Sequence, residues 1–162
     1  MKTISIIVIL LLSLPIKFFG QMKNANIIIA IDDKVVIGGL ARTQLIIDKK
    51  RGTKESIDVD YIPGKLSIKE EDFAKIYAED SLFLSFNFYE NCHGKQSTLS
   101  YQIEFRKPWL EYLFLVVRIY NLNKKENQKI FFPLEGLQYT YEVDSPNGSI
   151  TRVKKKGKEN CN

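Results

Sequence analysis

Cys92 and His93 are the one place where this chain sets a thiol beside an imidazole, the pairing that can activate a cysteine nucleophile. Adjacent side chains usually point apart, and His93 is the sole histidine, so no second imidazole can complete a hydrolytic or zinc site of the usual kind. The acidic residues are no better placed. Asp32 and Asp33 fall in an expected turn, Asp58 and Asp60 share one strand face, and Glu70, Glu71 and Asp72 open an expected helix. Calcium at Asp58 and Asp60 would need the dense Asp, Asn and Gly spacing that the segment lacks. Carboxylates assembled from separate strands are set by tertiary structure, so spacing cannot reveal them. No catalytic, cofactor or metal residue is assigned.

Three residue groups could make contacts instead. Arg118 lies in the most apolar stretch of the folded body, LFLVVRIY, where an unpartnered buried guanidinium would be costly. It must extend its head to water, pair with a facing carboxylate such as Glu104 or Glu142, or anchor a ligand. Trp109 follows Arg106, Lys107 and Pro108 at the entrance of the same strand. An aromatic beside basic residues can hold a sugar ring or a partner's anchor, and it can equally plug the end of a core. Lys154, Lys155, Lys156 and Lys158 form a basic tail suited to an anionic polymer or lipid surface, or simply to water.

The N-terminal residues give the address. Lys2 precedes an apolar run over 4–14 broken only by Ser5 and Ser13, and Pro15 ends it. This run reads as an export signal over 1–20, too short for a bilayer span of about 20 residues. Gly20 suits the position before the cut, whereas Phe18 departs from the small residue normally found two places earlier. Cleavage before Gln21 resembles the small secreted proteins of Bacteroidetes-type bacteria, whose mature chains often begin with Gln. The resemblance covers this segment alone and implies no activity. Lipoprotein anchoring needs a cysteine at the cleavage site, and the first cysteine is Cys92. A periplasmic or extracellular location is expected.

In that setting the two cysteines, Cys92 and Cys161, form the only pair available for a disulfide. The closed loop of about 70 residues would contribute roughly 4 kcal/mol on the chain-entropy estimate, less if it only tethers a tail. Two free thiols are the alternative.

Charge excludes a further class. The chain has 24 basic and 19 acidic residues, and removing Lys2 and Lys17 with the signal leaves 22 against 19. Much of that excess sits in the tail, so the body is close to neutral. A nucleic-acid groove would spread basic residues along one face among aromatics, and no such pattern is present.

The elements that must position these residues are mostly strands, because the apolar period from Asn26 onward is two. Segments 27–31 and 34–37 flank Asp32 and Asp33 as a hairpin. Segments 43–48 and 56–61 follow, the latter stopped by Pro63 and Gly64. A capping box at Ser67 and Glu70 predicts a helix ending near Asp80. Segments 81–89 and 98–105 alternate as a second hairpin, 110–120 reads as a central strand, and 121–128 as a loop. Segments 137–143 and 149–153 flank the turn DSPNG.

This inventory predicts a mainly β fold: one antiparallel β-sandwich over 21–153, immunoglobulin-like or transthyretin-like, with one short helix and a disordered tail over 154–162. The expected role is a non-catalytic interaction protein, an envelope accessory subunit or a toxin-neutralising partner, docking by edge-strand addition or by an aromatic anchor. A carbohydrate-binding module and a hydrolase with carboxylates from separate strands are the alternatives.

Overall fold

The computed structural model describes residues 21–38, 40–49, 52–78, 81–92, 95–152 and 154–155, with the backbone alone at Cys92 and Lys95. The chain is mainly β. Residues 1–20, where the export signal is expected, His93 and Cys161 lie outside the described residues.

The chain opens as β1 (Met22–Ala25) and continues past Asn26 as β2 (Ile27–Ile31). These two strands serve different sheets. Asn26 marks the change of partner, and its side-chain amide donates to the Leu113 carbonyl at 3.0 Å. Asp32 and Asp33 then turn the chain into β3 (Lys34–Val35), both with positive φ, 48° and 63°. Two left-handed residues in a two-residue hairpin loop match the twist of the strands, and Asp tolerates that region better than most residues.

β4 (Leu40–Asp48) pairs with β8 (Ser81–Cys92), and its register shifts by one residue between Ala41 and Gln44. Arg42 sits in this bulge at a φ of 51°. β5 (Lys54–Asp58) and β6 (Asp60–Ile62) replace the single strand expected over 56–61. Val59 separates them, is buried, and donates its N–H to the Thr43 carbonyl at 3.0 Å. β7 (Lys65–Lys69) follows the turn at Gly64, whose φ of 87° requires glycine's freedom.

Helix α1 (Glu70–Ala78) starts later than the capping-box reading implies. Ser67 belongs to β7 and donates its hydroxyl to the Asn24 side chain at 3.0 Å, so it is unavailable as a cap. The Glu70 N–H goes instead to the Gln21 carbonyl at 2.9 Å. Ile76 is fully buried, and Phe73 and Tyr77 stack beside it with ring centroids 5.4 Å apart.

β9 (Lys95–Phe105) completes the second hairpin. Pro108 then opens a 3₁₀ turn (Lys107–Glu111), which occupies the start of the expected central strand. β10 (Leu115–Asn121) is central, between β11 (Tyr139–Ser145) and β2. The expected loop after it contains α2 (Lys125–Ile130), and β12 (Gly148–Ile150) ends the series.

Among the described residues these strands form three sheets: β12-β11-β10-β2-β3, β5-β4-β8-β9 and β1-β7-β6. The fully antiparallel arrangement expected from sequence fails at one pair, since β10 runs parallel to β2 from Leu115 opposite Ile27 to Ile119 opposite Ile31. β10 and β2 are apolar on their inner face, and Ile27, Ile29, Leu115, Val117 and Ile119 are all essentially inaccessible. Residues from all three sheets meet in one apolar core.

A smaller cluster of Tyr120, Leu122 and Phe131 closes one end. Tyr120 and Phe131 stack at 4.3 Å. Phe131 also pairs with Lys154, and the Lys155 N–H donates to the Ile130 carbonyl at 2.7 Å, so backbone pairing continues into the expected tail. No helix among the described residues is long and apolar enough to cross a membrane.

Candidate functional site

Two features stand out once the sheets are assembled: the free edge of β9 and a cleft beside the β2–β3 turn. In the β8–β9 hairpin the register is regular from Leu82 opposite Phe105 to Cys92 opposite Lys95. N–H and C=O of one residue point the same way in an antiparallel ladder and alternate from residue to residue. Gln102 points away from β8, because its N–H donates to the Tyr139 hydroxyl at 2.7 Å and its carbonyl accepts from the same hydroxyl at 2.6 Å. Glu104 does likewise, its N–H reaching the Tyr141 hydroxyl at 3.3 Å. Two tyrosines of β11 therefore cap the C-terminal half of the β9 edge.

By the same alternation Thr98 and Ser100 turn their N–H and C=O to that open side. No strand among the described residues pairs with them. A cavity of about 410 Å³ runs along this stretch, with Thr98, Leu99 and Ser100 on one wall and Gly136, Leu137 and Gln138 on the other. Residues 96–100, Gln-Ser-Thr-Leu-Ser, contain no charge and no proline, the usual means of blocking edge pairing.

The cleft is larger, about 610 Å³, and lies between the 31–38 segment, the end of β8 and α2. Its floor is ionic. Lys124 Nζ sits 2.7 Å from Asp32 Oδ2 and 2.8 Å from Glu90 Oε1. The Asp32 contact is ionic and poorly aligned as a hydrogen bond, leaving Oδ2 without an aligned donor. Asp32 Oδ1 accepts from the Asn121 N–H at 2.9 Å and from Asn127 Nδ2 at 2.6 Å. Burial disfavours the charge of Lys124, but the two carboxylates outweigh it and hold the ammonium above the usual lysine range. Asp33, Glu126 and Lys34 line the cleft, with Val35, Ile37 and Tyr89 exposed at its rim.

Tyr101 lies between the two features. It is 3% exposed, stacks edge-on to Tyr139 at 5.0 Å, and its hydroxyl has no hydrogen-bond partner among the described residues. Burial raises its ionisation above the ordinary tyrosine value, and the charges of Asp32 and Glu90 raise it further.

The residues singled out from sequence are dispersed. Trp109 is only 5% exposed and packs edge-on to Phe105 at 5.4 Å, so it plugs the core. Tyr139 and Tyr141 are buried too, and the three form no exposed aromatic platform. Arg106 lies 5.8 Å from the Trp109 ring and 4.0 Å from Glu104. Lys107 donates to the Tyr77 carbonyl at 2.9 Å near the end of α1, and both basic residues line an open groove of about 400 Å³.

Arg118 pairs with Asp144, not with Glu104 or with Glu142, which is directly opposite it in the register. Both partners are half-exposed. Glu142 is instead turned to the Arg152 N–H at 3.2 Å and the Tyr120 hydroxyl at 3.5 Å. Of the tail, Lys154 lies 5.7 Å from the Phe131 ring, and Lys155 donates to the Gln128 carbonyl at 2.7 Å. Lys156, Lys158 and Cys161 lie outside the described residues, and Cys92 ends β8.

Sequence reasoning missed Asp32, Glu90 and Lys124 as a unit, and the capping role of the tyrosine hydroxyls. The Asp32–Asp33 turn was legible, but nothing in its local pattern names a lysine some ninety residues later. Comparison with protein-family models, with curated proteins and with solved structures gives no match.

Proposed function

We propose that this protein is an exported, non-catalytic β-sandwich that binds another protein, as an envelope accessory subunit or a toxin-neutralising partner, by accepting an extended segment of its partner along β9. The observation that carries this reading is the open, uncharged edge at residues 96–100, beside a cavity of about 410 Å³. A partner strand there would be held by backbone hydrogen bonds, with its side chains sampling the cavity.

The other edges suit the role less. β3 has two residues, β6 and β12 have three each, and β1 has four, Lys23 among them. β5 carries Lys54, Glu55 and Asp58. Asp32 and Glu90 are both committed to Lys124, which favours binding over hydrolysis by a carboxylate pair. Burial of Trp109 favours a protein partner over a glycan. Export is supported by the apolar 4–14 run that follows Lys2. An immunoglobulin-like or transthyretin-like sandwich fits the shared core of the larger sheets.

Amide hydrogen exchange tests the reading. With a partner recovered from envelope extract bound, the Thr98 and Ser100 amides should gain protection while Gln102, already bonded to Tyr139, changes little. Protection confined to other surfaces would overturn the β9 assignment.

A further inference from the structure

The ionic floor of the cleft plays no part in docking along β9, yet its atoms are arranged as for a reaction. The Asp32 carboxyl is treated unequally at its two oxygens. Oδ1 accepts two donors, the Asn121 N–H at 2.9 Å and Asn127 Nδ2 at 2.6 Å. Asn127 is itself held, because the same nitrogen donates to the Asn121 carbonyl at 2.9 Å. Oδ2 is buried, has no aligned donor, and faces Lys124 Nζ at 2.7 Å. Two donors on one carboxyl oxygen are what stabilises the oxyanion of an acyl-transfer intermediate, and they leave the other oxygen free to depart.

A second carboxylate stands where a proton relay is needed. Glu90 Oε1 lies 2.8 Å from the same Nζ. The Asp32 side chain is only 16% exposed and that of Glu90 22%, and Ile31, Val36 and Phe88 give the cleft an apolar wall. The backbone fixes both reactants: the Asp32 N–H donates to the Ile119 carbonyl at 2.8 Å, and the Lys124 N–H to the Asn121 carbonyl at 3.2 Å. Holding amine and carboxyl in contact replaces a bimolecular encounter and is worth an effective concentration of about 10⁵ M or more. This favours a condensation that a free amine and a free acid resist in water.

We propose that Lys124 condenses with Asp32 into an intramolecular amide crosslink, Nζ to Cγ, with Glu90 as the proton relay and the loss of one water. The ammonium first passes a proton to Oδ2, giving an amine and a carboxylic acid. Nζ attacks Cγ, the negative charge of the tetrahedral intermediate rests on Oδ1 against its two donors, and a second proton leaves Nζ for Glu90. Glu90 returns that proton to Oδ2, which departs as water while the carbonyl re-forms at Oδ1. Lys124 keeps one proton as the amide N–H, Glu90 ends as it began, and no oxidant or other reactant is consumed. The ion pair is the resting state, its ammonium held above the usual lysine range, so the amine is scarce and the bond forms slowly after folding. Once formed, it ties the β2–β3 turn to the entry of α2 by a link that unfolding does not break.

The test is the intact mass of the full chain, purified folded, kept for days at neutral pH and reduced before measurement. The reference is Lys124→Arg, which preserves the charge but cannot condense. Allowing for the substitution, the parent should weigh one water less than this reference, and proteolysis should release a branched peptide joining Asp32 to Lys124. Glu90→Gln, a change of nearly equal size at a partly exposed site, should slow condensation about a hundredfold, leaving full-mass chains where the parent has been converted. A parent with no missing water would overturn the proposal. So would a missing water traced to a ring closed by Asp32 on its own backbone, or to an amide between Lys124 and Glu90. Conversion of Glu90→Gln as early and as complete as that of the parent would overturn the relay.

Discussion

The Tyr139 hydroxyl both accepts from the Gln102 N–H, at 2.7 Å, and donates to the Gln102 carbonyl, at 2.6 Å. One side chain of β11 therefore stands in for a missing neighbour strand at one residue of β9. Where this substitute stops, at Ser100 and Thr98, the edge is open.

Tyr139→Phe should cost about 2 kcal/mol, because a partly buried N–H and C=O lose their shared partner at once. Tyr141→Phe should cost about half as much, since Tyr141 makes a single, longer bond to Glu104. Urea denaturation of both variants checks the order, and the Gln102 amide should exchange faster in Tyr139→Phe.

Tyr101→Phe should behave oppositely. Its hydroxyl is buried without a hydrogen-bond partner among the described residues, so removing it should leave stability unchanged or raise it by up to about 1 kcal/mol. A loss comparable to that of Tyr139→Phe in the same denaturation series would contradict this.

Alkaline pH should destabilise the fold through its tyrosines. Burial, aided by the charges of Asp33 and Glu142, pushes Tyr120 up to about 12, and burial also raises Tyr101 and Tyr139 above the ordinary value. In the unfolded chain these groups ionise near pH 10. Below that pH their contribution is fully present. Above it the folded state holds more protons, so stability should fall as pH rises from about 10 to about 12. Phenolate absorbance followed alongside unfolding should place ionisation of the buried tyrosines with, not before, loss of structure.

Arg118→Met should change stability by no more than about 1 kcal/mol, because the pair with Asp144 is half-exposed. Hydrogen bonding to Ser149, then to Arg118, holds the Asp144 carboxyl below its usual range. Its contribution is present above the unfolded value and is lost as pH falls through the folded one. The variant should therefore lose part of the acid-side pH dependence, read by denaturation between neutral and acidic pH.

Much of the fold was legible because strand alternation is local. The hairpin turn at Asp32 and Asp33, the β8–β9 pair and the Pro146–Gly148 turn all follow from neighbouring residues. What was hidden depends on partners remote in sequence. At Val59 an extended run passes from one sheet to another with no break in its apolar period, so two strands read as one, and β1, ahead of the change of partner at Asn26, was not read as a strand. The parallel alignment of β2 with β10 leaves no local trace, and Ser67 looked like a helix cap because its bond to Asn24 crosses between strands. The site was hidden for the same reason: Asp32, Glu90 and Lys124 come from three separate elements, and the open edge of β9 is defined by where Tyr139 reaches.

Strand addition is tested most directly at Thr98, whose N–H faces the open side. Thr98→Ala keeps that N–H, whereas Thr98→Pro removes it without breaking a bond to β8. Affinity for the protein partner recovered from envelope extract should be nearly unchanged in the alanine variant. It should fall about tenfold or more in the proline variant, whose thermal stability stays near that of the parent. Equal affinity in all three proteins would contradict docking along β9.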